Sequence, residues 1–164
     1  MKGDSTKKIQ RITPFLWFDK EAHKAAKFYT SVFKDSKIRD SKTLDNTPSG
    51  TVEIVTIELL GQEFTLMSAG PLFKFNESIS FVINCETQEE IDYYWKKLSA
   101  DPKAEQCGWL KDKFGLSWQI VPNVLVDMLQ DRDRKKVARV MEAFLKMKKF
   151  DIAKLRKAYA GVKK

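Results

Sequence analysis

Apolar residues recur at two spacings along this chain, and the alternation between those spacings outlines its elements. Residues 11–18 read as a first strand, with Pro14 placing it near a sheet edge or at a strand start. Asp19 is then expected to cap a helix reaching about Phe33, with Ala22, Ala26, Tyr29 and Phe33 on its inner face. Residues 37–44 alternate weakly, as an edge strand does, and residues 45–50 (DNTPSG) have the composition of a loop. Residues 51–60 and 63–69, joined across Gly61 and Gln62, read as a hairpin. A strand over 78–85 leads to a second helix. Thr87 and Glu90 form its capping box, and Ile91, Tyr94, Trp95 and Leu98 its apolar stripe. A short strand near 105–107 and a final hairpin over 108–122 complete a second copy of the order strand, helix, three strands.

The final hairpin, GWLKDKFGLSWQIVP, is the most informative stretch. Residues 112–115 are its turn, and Gly115 supplies a backbone position of positive φ without steric cost. The strand that follows places Ser117, Gln119 and Val121 on one face and Leu116, Trp118 and Ile120 on the other. An amide in an otherwise buried strand needs hydrogen-bond partners, so Gln119 is either a satisfied structural group or part of a site.

Charge alters this picture only at the end of the chain. The net charge is +8 over 164 residues, and from Asp131 onward 13 Lys and Arg face 4 Asp and Glu. Those charges alternate with Val137, Val140, Met141, Phe144 and Leu145 at helical spacing, which makes them the solvated side of an amphipathic helix. No aromatic residues interleave with the charges on that solvated face to stack on bases, so nucleic acid is not an expected partner. No apolar run approaches the roughly twenty residues of a spanning helix, so no membrane insertion is expected. The start lacks an apolar signal region, and the expected compartment is the cytoplasm. Cys85 and Cys107 show no spacing typical of a zinc cluster or a disulfide framework.

The segments ITPFLWF, KFYTSVF, GQEFTLMSAGP, SISFVINC and GWLKDKFGLSWQIVP occur in this order and resemble the PhnB-like branch of the glyoxalase and bleomycin-resistance (vicinal oxygen chelate) superfamily. Proteins of that branch are often labelled demethylubiquinone methyltransferase-like. The resemblance implies an α+β fold in which paired βαβββ modules form a curved mixed sheet cup, with extra C-terminal helices. It divides the chain into a flexible N-terminus at 1–10, a glyoxalase-like domain at 11–122 and a helical extension at 123–164. No glycine-rich strand-to-helix turn of the kind that holds a nucleoside cofactor is present, and no cofactor is expected. The superfamily's metal ligands would fall near Thr13 or Pro14, Met67, Ser78 and Gln119. Thioether, hydroxyl and amide provide no charge for a divalent ion, so no metal is expected. The sole histidine, His23, lies on the polar side of the first helix with Lys27, Thr30 and Lys34.

Strand parity within that implied fold gives a lining of Phe15, Trp17, Thr65, Met67, Ser78, Ser80, Ser117 and Gln119, with Trp109 and Phe73 near the rim. This is a mostly apolar pocket with hydroxyls and one amide, suited to a small organic molecule; the alternative is a filled interior or a dimer interface. Three functions follow: a metal-free cup that binds a small organic ligand, a metal-dependent enzyme of the same fold with a degenerate site, or an interaction protein using the basic C-terminal helices. The resemblance also implies a homodimer, and the apolar stripe of the tail calls for a cover.

Overall fold

The computed structural model describes residues 10–162, so all of the expected flexible N-terminus except Gln10 lies outside the described residues. The chain divides into two compact units, Met1–Lys74 and Phe75–Lys164. The class is α+β, as expected, and the strands form two mixed sheets, one in each unit.

The first unit comprises β1 (Phe15–Phe18), α1 (Ala22–Val32), β2 (Lys37–Thr47), β3 (Gly50–Leu59) and β4 (Gln62–Ser68). The strand order is β1-β4-β3-β2, with β1 parallel to β4 and the other pairs antiparallel. Leu16, Phe18, Val55, Ile57, Leu59 and Leu66 are buried, as are Ala22, Ala25, Ala26, Tyr29 and Val32 of α1. The small alanines let the helix backbone approach the branched residues of the sheet.

Three details of this unit differ from expectation. The first strand begins at Phe15, because the Gln10 side chain takes the place of a ladder partner: its amide accepts from Glu63 N at 2.9 Å and donates to Glu63 O at 3.0 Å. Asp19 is not the helix cap. Glu21 occupies that position without a side-chain bond to the helix amides, and Ser68 of β4 accepts from Ala22 N at 3.0 Å. Strand β2 runs to Thr47, because a register shift between Leu44 and Thr47 and a positive φ of 58° at Asn46 absorb residues that looked like loop.

The second unit comprises β5 (Ser80–Cys85), α2 (Gln88–Leu98), β6 (Trp109–Lys111), β7 (Ser117–Pro122), α3 (Asn123–Leu129), α4 (Arg134–Phe144) and α5 (Ile152–Ala160). The sheet order is β5-β7-β6, with β5 parallel to β7. The capping box of Thr87 and Glu90 forms as expected, and Ile91 and Leu98 are the buried members of the α2 stripe. The strand expected at 105–107 is reduced to a single bridge between Gln106 and Trp109. Consecutive positive φ angles at Cys107 (50°) and Gly108 (82°) end the ladder there. Their amides instead donate to Met147 O and Lys148 O, so the tail takes up bonds that a fourth strand would have made.

The amphipathic tail finds its cover within this same unit. Val140 joins Leu125, Met128, Phe150 and Leu155 in one buried cluster, with Phe144 against its edge. Met141 and Leu145, expected on the apolar stripe, are exposed, because only one turn-to-turn ridge of α4 meets α3 and α5. Gly108 is held in this cluster by contact: a Cβ there would meet Phe150 Cε2 at 2.4 Å and Ile120 O at 2.9 Å.

Candidate functional site

Each sheet has one face packed by its helix and one open face, and the two open faces differ in chemistry. In the first unit the register sets Phe15 beside Thr65 and Thr56, and Trp17 beside Met67 and Ile54. Phe15, Trp17, Thr65 and Met67 therefore share one face, as strand parity predicts. The polar atom of the indole is already used: Trp17 Nε1 donates to Gly70 O at 2.8 Å. Phe73 meets the same ring edge-on, with centroids 5.0 Å apart.

In the second unit one row of the open face runs Ser80, Ser117, Lys111 across β5, β7 and β6, and the next runs Val82, Gln119, Trp109. Gln119 Nε2 donates to Ser80 Oγ at 2.8 Å, which fixes the amide diagonally across the two rows. Ser117 is 1% exposed, and its hydroxyl has no hydrogen-bond partner among the described residues. A buried hydroxyl left unpaired costs on the order of 1–3 kcal/mol, so its presence calls for an explanation. Ser78 stands apart from the row. It precedes β5, is exposed, and is bound through both its amide and its hydroxyl to Asn76 Oδ1.

Two neighbours of Ser117 are absent from the lining predicted above. Lys111 lies directly across the ladder from it and pairs with the Glu77 carboxylate. That hydrogen bond holds the Glu77 carboxyl below its usual pKa. Asp112 anchors the turn: Oδ1 accepts from Phe114 N at 2.8 Å and Leu116 N at 3.1 Å, and Oδ2 accepts from Trp118 Nε1 at 2.8 Å. The turn has Gly115 at φ 83°, as its sequence requires. Asp112 thus pins Trp118 to the helix side and presents Ser117 on the other. The signal for Lys111 is its parity with Trp109, two residues earlier on the same strand.

Other reactive groups lie away from this face. His23 pairs with Glu53 at 3.4 Å on the helix side of the first sheet. Cys85 is buried, and burial pushes its thiol up to about 12, which leaves it protonated and inert at neutral pH. A groove of about 680 Å³ lies where α2 and α5 begin. Its polar groups largely satisfy one another, since Gln88 bonds to Phe150 O and Ile152 N and Lys149 pairs with Asp92. Among the described residues, no three His, Cys, Asp or Glu side chains converge as metal ligands. Thr13 or Pro14, Met67, Ser78 and Gln119, at the positions where the superfamily binds its metal, carry no charged or imidazole donor and do not fit a divalent ion.

No helix among the described residues is long and apolar enough to cross a membrane. No curated protein matches the chain. A family model described as 3-demethylubiquinone-9 3-methyltransferase matches residues 10–121. Among solved structures, the PhnB protein from Bacillus cereus is 34% identical, with a TM-score of 0.58 over 69% of this chain and 99% of that one. The fosfomycin resistance protein FosX from Listeria monocytogenes has the same fold at 15% identity, with a TM-score of 0.55 over 74% of this chain and 98% of its own. With the open β5-β7-β6 face, its Gln119 and the mixed βα units in place, the chain belongs to the PhnB, 3-demethylubiquinone-9 3-methyltransferase-like family of the glyoxalase and bleomycin-resistance superfamily.

Proposed function

We propose that this protein binds a small organic molecule without a metal, on the open face of the β5-β7-β6 sheet. The observation that carries this reading is the buried, unpartnered hydroxyl of Ser117 in a row that also holds Ser80 and Gln119. A site built to hydrogen-bond a ligand leaves such a group unpaired when empty, whereas a merely packed interior is selected to satisfy or delete it. Trp109, across from Gln119, supplies a flat apolar surface beside those polar atoms. The methyltransferase activity in the family's name is not part of this proposal, because the chain has no glycine-rich strand-to-helix turn to hold a nucleoside cofactor.

A fragment screen by NMR tests the reading, with the Gln119 side-chain amide and the Trp109 indole as reporters. Saturable shifts confined to these signals support it. A fragment set that moves only signals outside the β5-β7-β6 face overturns it. Added zinc, nickel or manganese is expected to leave the thermal midpoint unchanged; a saturable rise would restore the metal-dependent alternative. The homodimer implied by family resemblance belongs with this reading, and light scattering at micromolar concentration checks it.

A further inference from the structure

Lys111 lies on the same face as Ser117, directly across the ladder on the next strand, and a cationic residue opposite one with an unpaired hydroxyl defines the kind of ligand that would satisfy both. We infer that the β5-β7-β6 face recognises an anionic head group, a carboxylate or similar oxyanion, held by Lys111 and Ser117, with Gln119 and Trp109 contacting the body of the molecule. The inference rests on the ligand-binding reading above and adds the charge of the ligand to it.

The argument is one of complementarity. Lys111 donates up to three hydrogen bonds and accepts none, and the Ser117 hydroxyl can donate one. Gln119 already spends an N–H on Ser80. The Ser117 and Gln119 oxygens can also accept, so the charge of the ligand is set by Lys111, whose ammonium only donates and is matched by an anionic acceptor. Charge-assisted bonds of this kind are about twice as strong as neutral ones.

Glu77 strengthens the case. Its carboxylate pairs with Lys111, yet the Glu77 side chain is 64% exposed while that of Lys111 is 23% exposed. The cation is fixed on the sheet and the carboxylate reaches it from the turn before β5, where Asn76 holds Ser78. Glu77 thus occupies the place of an incoming anion, and a ligand carboxylate would exchange with it. An exposed partner of this kind contributes little to stability, so its displacement has a low cost. On the first unit's open face the Trp17 indole is bonded to Gly70 O, and among the described residues the buried side-chain hydroxyl without a partner is that of Ser117 in the second unit.

The test uses the full chain and two probes of the same size and shape, benzoate and benzyl alcohol, titrated by NMR. The Trp109 indole is the reporter, and the Trp118 indole, fixed to Asp112 on the opposite face, is the internal control. Benzoate is expected to bind at least about tenfold more tightly than benzyl alcohol. Lys111→Met is expected to remove that preference, and Glu77→Gln, which frees Lys111, to tighten benzoate several-fold. A surface control, Lys146→Met just after α4, should change neither, which separates a specific anion site from attraction to the basic tail. Equal binding of both probes, or a preference that survives Lys111→Met, overturns the anionic assignment and leaves the ligand-binding reading standing. Binding of neither probe at the Trp109 indole overturns both.

Discussion

The open face of the first unit uses the polar atom of its indole locally, whereas the open face of the second leaves a buried hydroxyl unused. Trp17 donates to Gly70 O and is braced by Phe73, while on the helix side Ser68 at the end of β4 caps α1 by accepting from Ala22 N. In the second unit Gln119 reaches only as far as Ser80, Lys111 reaches out to an exposed carboxylate, and the buried Ser117 hydroxyl has no partner. Similar βα modules have thus been turned to different ends. One spends its side chains on closing its own structure, and the other holds hydrogen-bonding capacity in reserve, which is what a binding surface requires.

The largest effect that would break this comparison concerns how each unit secures its architecture. Asp112→Ala removes the acceptor of three N–H groups and strands the buried Trp118 indole, and about 4 kcal/mol of stability should be lost. Ser68→Ala, the corresponding anchor in the first unit, removes one acceptor at a helix start and should cost about 1 kcal/mol. Thermal midpoints, with hydrogen exchange to assign the loss to a unit, measure both. Equal costs would show that the Asp112 turn is not what holds Ser117 in place.

Backbone substitutions sharpen the same contrast. Gly108→Ala combines a positive φ with a clash against Phe150 and the Ile120 carbonyl, and about 3 kcal/mol should be lost. Gly61→Ala, in the first unit's hairpin, meets open space and should cost only the conformational term, about 1 kcal/mol. Denaturant unfolding of the two variants gives the difference directly. If Gly108→Ala were as mild as Gly61→Ala, the tail would not be packed against this turn, and its role in place of a fourth strand would fall.

Much of this architecture could be read in the chain, because period-two and period-3.6 patterns are local and are set by burial of one face. Strand parity alone puts Phe15, Trp17, Thr65 and Met67 on one face, and Ser80, Ser117 and Gln119 on another, as the ladders do. The Thr87 capping box and the Gly115 turn were legible because each depends on residues within a few positions. What was not legible depends on partners distant in sequence. Ser68 caps a helix 46 residues away, Gln10 replaces a ladder partner 53 residues away, and the tail carbonyls of Met147 and Lys148 take the bonds of the missing strand. Lys111 is illegible for a different reason. A lysine beside a turn ordinarily reads as solvated surface, and only the orphan hydroxyl across the ladder gives it another meaning.

The smallest expected effect is also the most discriminating, because its sign is unusual. Ser117→Ala deletes a buried hydroxyl with no partner and so removes a desolvation cost, and the free protein should gain about 0.5–1 kcal/mol. A structural serine would behave in the opposite way, since loss of a satisfied hydrogen bond destabilises by about 1 kcal/mol. The same variant should weaken benzoate, because it removes a donor from the proposed head-group site. Gain of stability with loss of binding is the expected signature of a residue kept for function at the expense of the fold. Loss of stability in the absence of ligand would mean that the hydroxyl is satisfied in solution, and the contrast between the two open faces would reduce to one of shape.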